Sequence, residues 1–399
     1  MHGLFVFLGF EVAAFFPFFA IYLQRRGLSE SEIGLVIAFM AVSRILLNPV
    51  WGHLADSRIG RLSALQLGLV GTALCALSMN HLHGVVPIAV GGFGIAGFMV
   101  ATGPNIDTIA LEHLGDTRMS QYGKIRGWLS LSYSGACLVT GSILQANDIR
   151  LAMPIFAVGG LGVLAWSTTV VRDHPKHVDH GRMGTVGAVF REAPRFWGFL
   201  AAMVFIWTGF NAAWNFISLK IVSEGGGPLL IGMGCALGGL VEVPVMRFSS
   251  RMQSRWGLRK VYALGCVVYA TGFLLWGLIS NPTVVSFLTV FEGLGFGLLF
   301  TTTVVTVGRL LPSNLYSTGN SVAAMVAFGI GPILGAGLGG FVYQHLGVVV
   351  LYVSASALAL CGAVAALFAL NIPALEEPSS AGEADLRIES VVAPPEPLV

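Results

Sequence analysis

Long apolar runs, broken at short and regular intervals by clusters of arginine, glycine and polar residues, dominate this chain. A helix that crosses a bilayer needs about 20 mostly apolar residues. Runs of that length are predicted near 3–23, 33–52, 63–82, 85–108, 126–146 and 151–171. A polar stretch from Arg172 to Arg195 follows, and then six more runs near 196–218, 229–249, 261–280, 283–306, 321–343 and 348–371. The runs do not alternate apolar with polar positions, so helices are predicted over the strands of a membrane barrel, which are about 10 residues long with a period of two. The expectation is an all-α membrane protein with twelve transmembrane helices in two pseudo-symmetric six-helix bundles. The first bundle covers 1–171, a cytoplasmic linker 172–195 and the second bundle 196–371. The remainder, 372–399, is rich in Pro, Glu and Ser and is expected to be a disordered cytoplasmic tail.

Composition strengthens this picture. With 55% hydrophobic and only 11% charged residues, and a mean hydropathy of +0.79, the chain is too apolar for a soluble protein of its length. The Lys and Arg positions set an orientation. With the N-terminus inside, only Arg25, Arg26, Arg150 and Lys220 fall outside and Arg44 falls in mid-helix, while the other 17 of the 22 are cytoplasmic. That asymmetry predicts a cytoplasmic (inner) membrane protein with both termini cytoplasmic. The net charge of +2 then reflects topology and carries no implication of nucleic acid. The first run has no basic stretch before it and no small-residue cleavage site after it, so it reads as a retained span. The five cysteines all lie in apolar runs without CxxC or Cys/His spacing, which predicts packing residues and no metal site. Nothing has the form of a phosphate-binding loop or a catalytic triad. No enzyme activity and no cofactor are expected.

Charges inside the apolar runs are the candidate chemistry. An ionisable group in hydrocarbon costs roughly 2.5 to 3.5 kcal/mol on insertion scales, so a span keeps one mainly where it faces a partner or a water-filled path. Glu11, Arg44, Glu242 and Glu292 lie inside predicted spans, and Asp107 and Arg126 lie near span ends. At about 1.5 Å per residue, Glu11 and Arg44 stand at matching depth on the first and second helices, roughly 12 Å from the cytoplasmic end, which predicts a charge pair. Glu242 and Glu292 have no basic residue at comparable depth on their own or sequence-adjacent helices. A carboxyl so isolated is suited to load and release a proton, with Glu242 the first choice and Glu292 the second. Along the seventh run, Trp207, Asn211, Trp214, Asn215 and Ser218 fall on one stripe at helical spacing. Such a stripe either grips an aromatic acid or a sugar ring, or packs helices with an interfacial belt.

Two loops and two helix segments carry a family resemblance. Between the second and third runs stands WGHLADSRIGRL, from Trp51 to Leu62; between the eighth and ninth stands SRMQSRWGLRKV, from Ser250 to Val261. They occupy the same place in each six-helix half, as a duplicated unit would. The first resembles the major facilitator superfamily signature G-x-L-a-D-r-x-G-r through Gly52, Leu54, Asp56, Gly60 and Arg61, with one extra residue between the aspartate and the second glycine. The second keeps Gly257 and Arg259 but has Ser254 at the aspartate position, which implies an ion-pair lock in the first half only. NIDTIALEH from Asn105 and QYGKIRGWLSLSYSG from Gln121 are similar to the helix 4 to helix 5 region of the lactose permease and phenylpropionate permease branch, as GGLVEVPVM from Gly238 is to its acid-bearing helix 8. The stretch from Phe16 to Leu46, with Arg44 in it, resembles the phenylpropionate permease pattern.

That resemblance implies the major facilitator fold and alternating access coupled to protons. Together with the buried charges and the stripe, it gives an expected solute site of Glu11, Arg44, Asp107, Arg126, Trp207, Asn211 and Asn215, with Glu242 and Glu292 in proton coupling. The drug/proton antiporter signatures, an arginine early in helix 4 and a Gly-Pro element late in helix 5, are absent. The expected function is symport of a small organic solute, an aromatic or other carboxylic acid being favoured by the two arginines. A sugar or nucleoside symporter, an efflux transporter, and a non-transporting receptor or chaperone on the same scaffold are the alternatives. The expected partners are the solute, the proton and the bilayer, with the chain acting as a monomer.

Overall fold

A computed structural model of the chain describes residues 1–114, 122–169, 187, 189, 191, 193–312 and 315–371. Most of the expected linker at 172–195 and the whole expected tail at 372–399 lie outside the described residues, as do 115–121 and 313–314. Twelve long helical segments carry the fold, and no strand occurs among the described residues. They are α1 (His2–Arg25), α2 (Glu30–Ile59), α3 (Arg61–His81), α4 (Val85–Leu114), α5 (Tyr122–Ala146) and α6 (Ile149–Ser167) in the first half. The second half has α7 (Pro194–Ser223), α8 (Pro228–Trp256), α9 (Leu258–Leu278), α10 (Pro282–Leu310), α11 (Thr318–Leu346) and α12 (Val348–Ala369). Eleven are long and apolar enough to cross a membrane. The exception is α5, whose polar start carries Lys124 and Arg126 and whose body is rich in Ser, Thr and Gly.

Local chemistry sets the boundaries. Ser29 caps α2 through a reciprocal box, its side chain accepting from the Glu32 amide while its own amide donates to Glu32 Oε2 at 2.8 Å. Pro194, Pro228 and Pro282 open α7, α8 and α10 from first-turn positions where the missing N–H costs nothing. Where one helix turns sharply into the next, glycine supplies the positive φ: Gly60 between α2 and α3 and Gly257 between α8 and α9 share φ 79° and ψ 157°.

The two halves repeat each other in three dimensions. In the first, α1 packs on α5 and α6, α2 on α4, and α3 on α4 and α6; in the second, α7 packs on α11 and α12, α8 on α10, and α9 on α10 and α12. Helix α1 is interrupted after Phe15 and resumes at Phe19, as α7 is after Trp214 before resuming at Ile217. The left-handed glycines of the two halves stand 198 residues apart at Gly27 and Gly225 but 197 apart at Gly60 and Gly257. The first half thus holds one extra residue in α2. It is absorbed by a π-helical turn at Ala55–Ile59, the wider i→i+5 ring that accommodates an insertion without breaking the helix.

The halves meet through α2 against α11 and α5 against α8. These seams are tightest at the end of the molecule that carries Gly27 and Gly225. A Cβ at Gly34 would stand 2.2 Å from the Ala336 carbonyl oxygen, and one at Gly232 would stand 2.3 Å from that of Cys137, so only glycine permits the backbones to come so close. Ser31 donates its amide to Gln344 Oε1 at 3.1 Å across the first seam, and Leu229 donates to Gln145 Oε1 at 3.4 Å across the second. The close approaches run toward the Gly60 end as far as Ile45 beside Gly329 and Ser134 beside Gly239. Beyond them no described glycine brings these helix pairs together, and partly exposed side chains such as Asp107 and Arg126 mark an opening toward the Gly60 end.

Candidate functional site

An acid–base cluster lies in that opening. Asp107 of α4 pairs with Arg126 of α5 at 3.5 Å, and their side chains keep 37% and 43% exposure. Tyr122, one turn before Arg126, donates its phenol to Asp107 Oδ1 at 2.8 Å. The Arg126 guanidinium also lies 5.9 Å from the centre of the Phe5 ring on α1. The exposed apolar stripe of α5, with Trp128, Leu131, Leu138 and Val139, lies on the opposite side of the helix from Arg126. The arginine therefore lies on the side of α5 that meets α1, away from the exposed apolar stripe.

Across the gap stand the two carboxyls of the second half. Glu242 of α8 lies in the neighbourhood of Arg126 and of Glu292, with no ion pair or hydrogen bond to either among the described residues. The expectation concerned Glu242's own and sequence-adjacent helices; the cation in its neighbourhood belongs to α5, which neighbours α8 in space but not in sequence, and it is paired with Asp107. Glu292, from the first turn of α10 after its break, leans on α8, where a Cβ at Gly238 would meet its Oε2 at 2.8 Å.

Glu11 and Arg44 do not meet. Glu11 is 1% exposed, with both carboxyl oxygens lacking a hydrogen-bond partner, and it packs against α6, where a Cβ at Gly160 would stand 3.1 Å from Oε1. Arg44 has the Phe16 ring beside it, 5.5 Å from guanidinium carbon to ring centre, and no ion pair or hydrogen bond among the described residues. It lies on the side of α2 opposite the exposed Leu35, Phe39, Leu46 and Val50, so it too faces the interior. The predicted pair fails because equal depth does not fix azimuth: Glu11 projects toward α6 and α3.

The α7 stripe is drawn into packing at its centre. Trp207 is 2% exposed and contacts the rings of Phe210, Phe296 and Phe328. Asn211 donates to the Trp207 carbonyl and Asn215 to the Asn211 carbonyl, both at 2.8 Å, so the amides bond back to their own helix. Asn211 also presses on α11, where a Cβ at Gly335 would lie 2.8 Å from its Cβ. In the first-half loop, Arg61 bridges Asp56 at 3.0 Å and Glu112 of α4 at 3.6 Å, tying α2, α3 and α4 together. Gly52 lies on open helix surface with nothing near its Cα face. In the second half Arg259 donates to Asn371 Oδ1 at 2.9 Å, joining α9 to the end of α12.

Sequence reasoning missed three participants. Tyr122 stood in the quoted motif, four residues before Arg126 and so on its face, but its hydroxyl was not given a role. Glu112 follows Asp107 on α4 and completes the Arg61 lock. Phe16 sits in the break of α1, which the uniformly apolar pattern hides.

A duplicated six-helix bundle with charged groups inside its spans is the plan of a membrane transporter. Comparison with known proteins agrees. Residues 1–354 match the family described as MFS_1-like, and the chain belongs to it and so to the major facilitator superfamily. It is 26% identical to the maltose permease of Geobacillus stearothermophilus over 86% of this chain and 88% of that one. It is 23% identical to a probable 3-phenylpropionic acid transporter of Escherichia coli, over 87% and 91% respectively. Among solved structures, the nucleoside transporter NupG superposes with a TM-score of 0.73 at 15% identity, covering 93% of this chain and 98% of that one. A D-xylose-proton symporter does so at 0.70 and 14%, covering 94% and 97%. The protein is a multi-pass membrane transporter and not an enzyme.

Proposed function

We propose that this chain is a proton-coupled symporter of a small carboxylate-bearing organic solute, working by alternating access between a bundle at 1–171 and a bundle at 196–371. With both termini cytoplasmic, the opening at the Gly60 end faces the cytoplasm and the seams at the Gly27 end form the outer seal. The observation that carries the solute class is Arg44, an inward-facing guanidinium with the exposed ring of Phe16 beside it and no ion pair or hydrogen bond among the described residues. An arginine held in a span calls for an anion, and its planar fork matches a carboxylate while the ring takes an aryl group. Glu242 and Glu292 in the opposite half then hold the proton. The pair of this chain with the 3-phenylpropionic acid transporter is consistent with an aryl acid.

A second reading is favoured by a separate observation. Asp107, Arg126 and Tyr122 together offer a carboxylate, a guanidinium and a phenol in one cluster, a set that recognises vicinal hydroxyls, and the chain's similarity to a maltose permease runs the same way. The test is uptake into proteoliposomes under an imposed pH gradient with labelled 3-phenylpropionate and labelled maltose. The carboxylate reading expects 3-phenylpropionate to accumulate. It also expects Arg44→Gln to lose about 1.5 to 3 kcal/mol of binding, roughly a tenfold to hundredfold fall in apparent affinity. Accumulation of maltose alone, with Arg44→Gln indifferent, would overturn it in favour of the hydroxyl reading.

A further inference from the structure

The last turns of α8 carry a row of arginines that neither the solute site nor the proton site uses. Arg247, Arg251 and Arg255 are exposed and follow one another at four-residue spacing, so they run along one side of the helix. Helix α8 touches α10 at Gly238 and Val245 and α5 at Gly239. At 3.6 residues per turn, Arg247 stands opposite both α10 contacts and about a quarter turn from the α5 contact. It shares that side with the exposed Leu240 and Phe248 and lies well round the helix from Glu242. A cleft of about 410 Å³ opens there, lined by Val243, Pro244, Arg247, Phe248, Ser250 and Arg251. The Arg251 guanidinium sits 5.6 Å from the centre of the Phe248 ring. No acidic residue lines the cleft, and the side chains of Arg247 and Arg251 have no ion pair or hydrogen bond among the described residues.

Depth and duplication say what such a cleft is for. The apolar part of α8, from Pro228 to Met246, is about 28 Å long, close to the roughly 30 Å of a bilayer's hydrocarbon core. Arg247 is the first residue past it, at the level of the lipid phosphates. The first half has a cleft of about 390 Å³ at the same place, lined by Pro49, Val50, His53, Leu54 and Arg58. The 198-residue offset between the halves matches Arg247 to Pro49, Phe248 to Val50 and Arg251 to His53, and the 197-residue offset past the π turn matches Arg255 to Arg58. The fold thus supplies the hollow twice, and the second half alone places guanidiniums at its two inner positions.

We infer that the α8 cleft binds an anionic phospholipid of the leaflet at the Gly257 end, its phosphate held between Arg247 and Arg251 and an acyl chain lying along Leu240. Guanidinium forks pair with phosphate oxygens two at a time. A zwitterionic headgroup offers the same phosphate but brings its own ammonium, which the row of arginines repels, so the site selects a headgroup such as that of phosphatidylglycerol. The inference concerns the side of α8 turned from Glu242 and stands whether or not the symport reading holds.

Native mass spectrometry of the full chain in detergent, titrated with phosphatidylglycerol or with phosphatidylcholine of the same acyl chains, reads the occupancy of individual bound lipids. The expected result is one phosphatidylglycerol held more tightly than phosphatidylcholine by roughly tenfold or more. That preference is lost when Arg247→Gln and Arg251→Gln are combined, and kept in Arg58→Gln of the first-half cleft. Equal binding of the two lipids, or a preference that survives the double substitution, overturns the inference. A preference lost equally in Arg58→Gln overturns it too, since surface charge at large would then be responsible. Displacement of the lipid by inorganic phosphate would make the cleft a site for a free anion, and a preference that appears only after removal of Glu376–Val399 would make the acidic tail its occupant. Either result overturns the lipid assignment.

Discussion

Glu11 and Arg44 show how the burial of a single charge is resolved by direction as much as by depth. Both stand at mid-span on neighbouring helices, and the sequence alone makes them a natural pair. In the folded chain the carboxyl turns into the α1–α3–α6 core against Gly160, while the guanidinium turns to Phe16 and the interior. Rise per residue was legible from the sequence; the rotation of each helix about its axis was not, because every span here is apolar nearly all round and gives little sign of which side is in. The consequence is measurable. Contacting residues show coupling energies of about 0.5 to 3 kcal/mol in a double-mutant cycle, so Glu11→Gln and Arg44→Gln are expected to combine additively, with coupling below roughly 0.5 kcal/mol. Glu11→Gln, isosteric and far from any cation, is expected to leave uptake near the wild-type level. Strong coupling in uptake or in thermal stability would return the two residues to one pair. Asp107 and Arg126, by contrast, were legible together, since a short connection and a shared motif already placed them side by side.

At the level of elements, the glycines decide where helices touch, and only part of that pattern can be read in advance. The extra residue in the loop after α2 was visible in the sequence as a departure from the family signature, whereas its accommodation in a π turn is a matter of backbone hydrogen bonding. Likewise, nothing in the sequence near Glu242 announces Arg126, because α5 and α8 become neighbours only when the two halves dock. Gly340 of α11 is a sharp test of that docking. A Cβ there would stand 2.3 Å from the Glu30 carbonyl oxygen, a backbone atom that cannot move aside locally. Overpacking of this kind costs about 1 to 3 kcal/mol, and here it falls only on the state in which the outer seal is shut. Gly340→Ala is therefore expected to shift the population toward the state open at the Gly27 end by roughly fivefold to a hundredfold. Labelling of a single cysteine introduced on the outer half of α2 reports the shift: faster labelling in the Ala variant is the expected outcome, and unchanged labelling would mean that this seam does not open during the cycle.

On the scale of the whole molecule, two copies of one six-helix plan enclose a charged interior, but they furnish it differently. The first half supplies Arg44 and the Asp107–Arg126–Tyr122 cluster, and the second supplies Glu242 and Glu292 with a wall of aromatic rings around Trp207. The division suits a transporter in which one bundle orients the solute and the other holds the proton. The twelve spans, the duplication and the superfamily were legible because each depends on hydrophobic length and on a short motif at a fixed place. The side of each helix that faces the cavity was not, and the site depends on it. The most direct test of the account is Glu242→Gln in proteoliposomes, comparing accumulation of the transported solute under a pH gradient with its exchange when no gradient is imposed. If α8 carries the coupling carboxyl, the Gln variant exchanges solute at close to the wild-type rate and concentrates none. A Gln variant that still concentrates solute against its gradient would contradict the account at its centre.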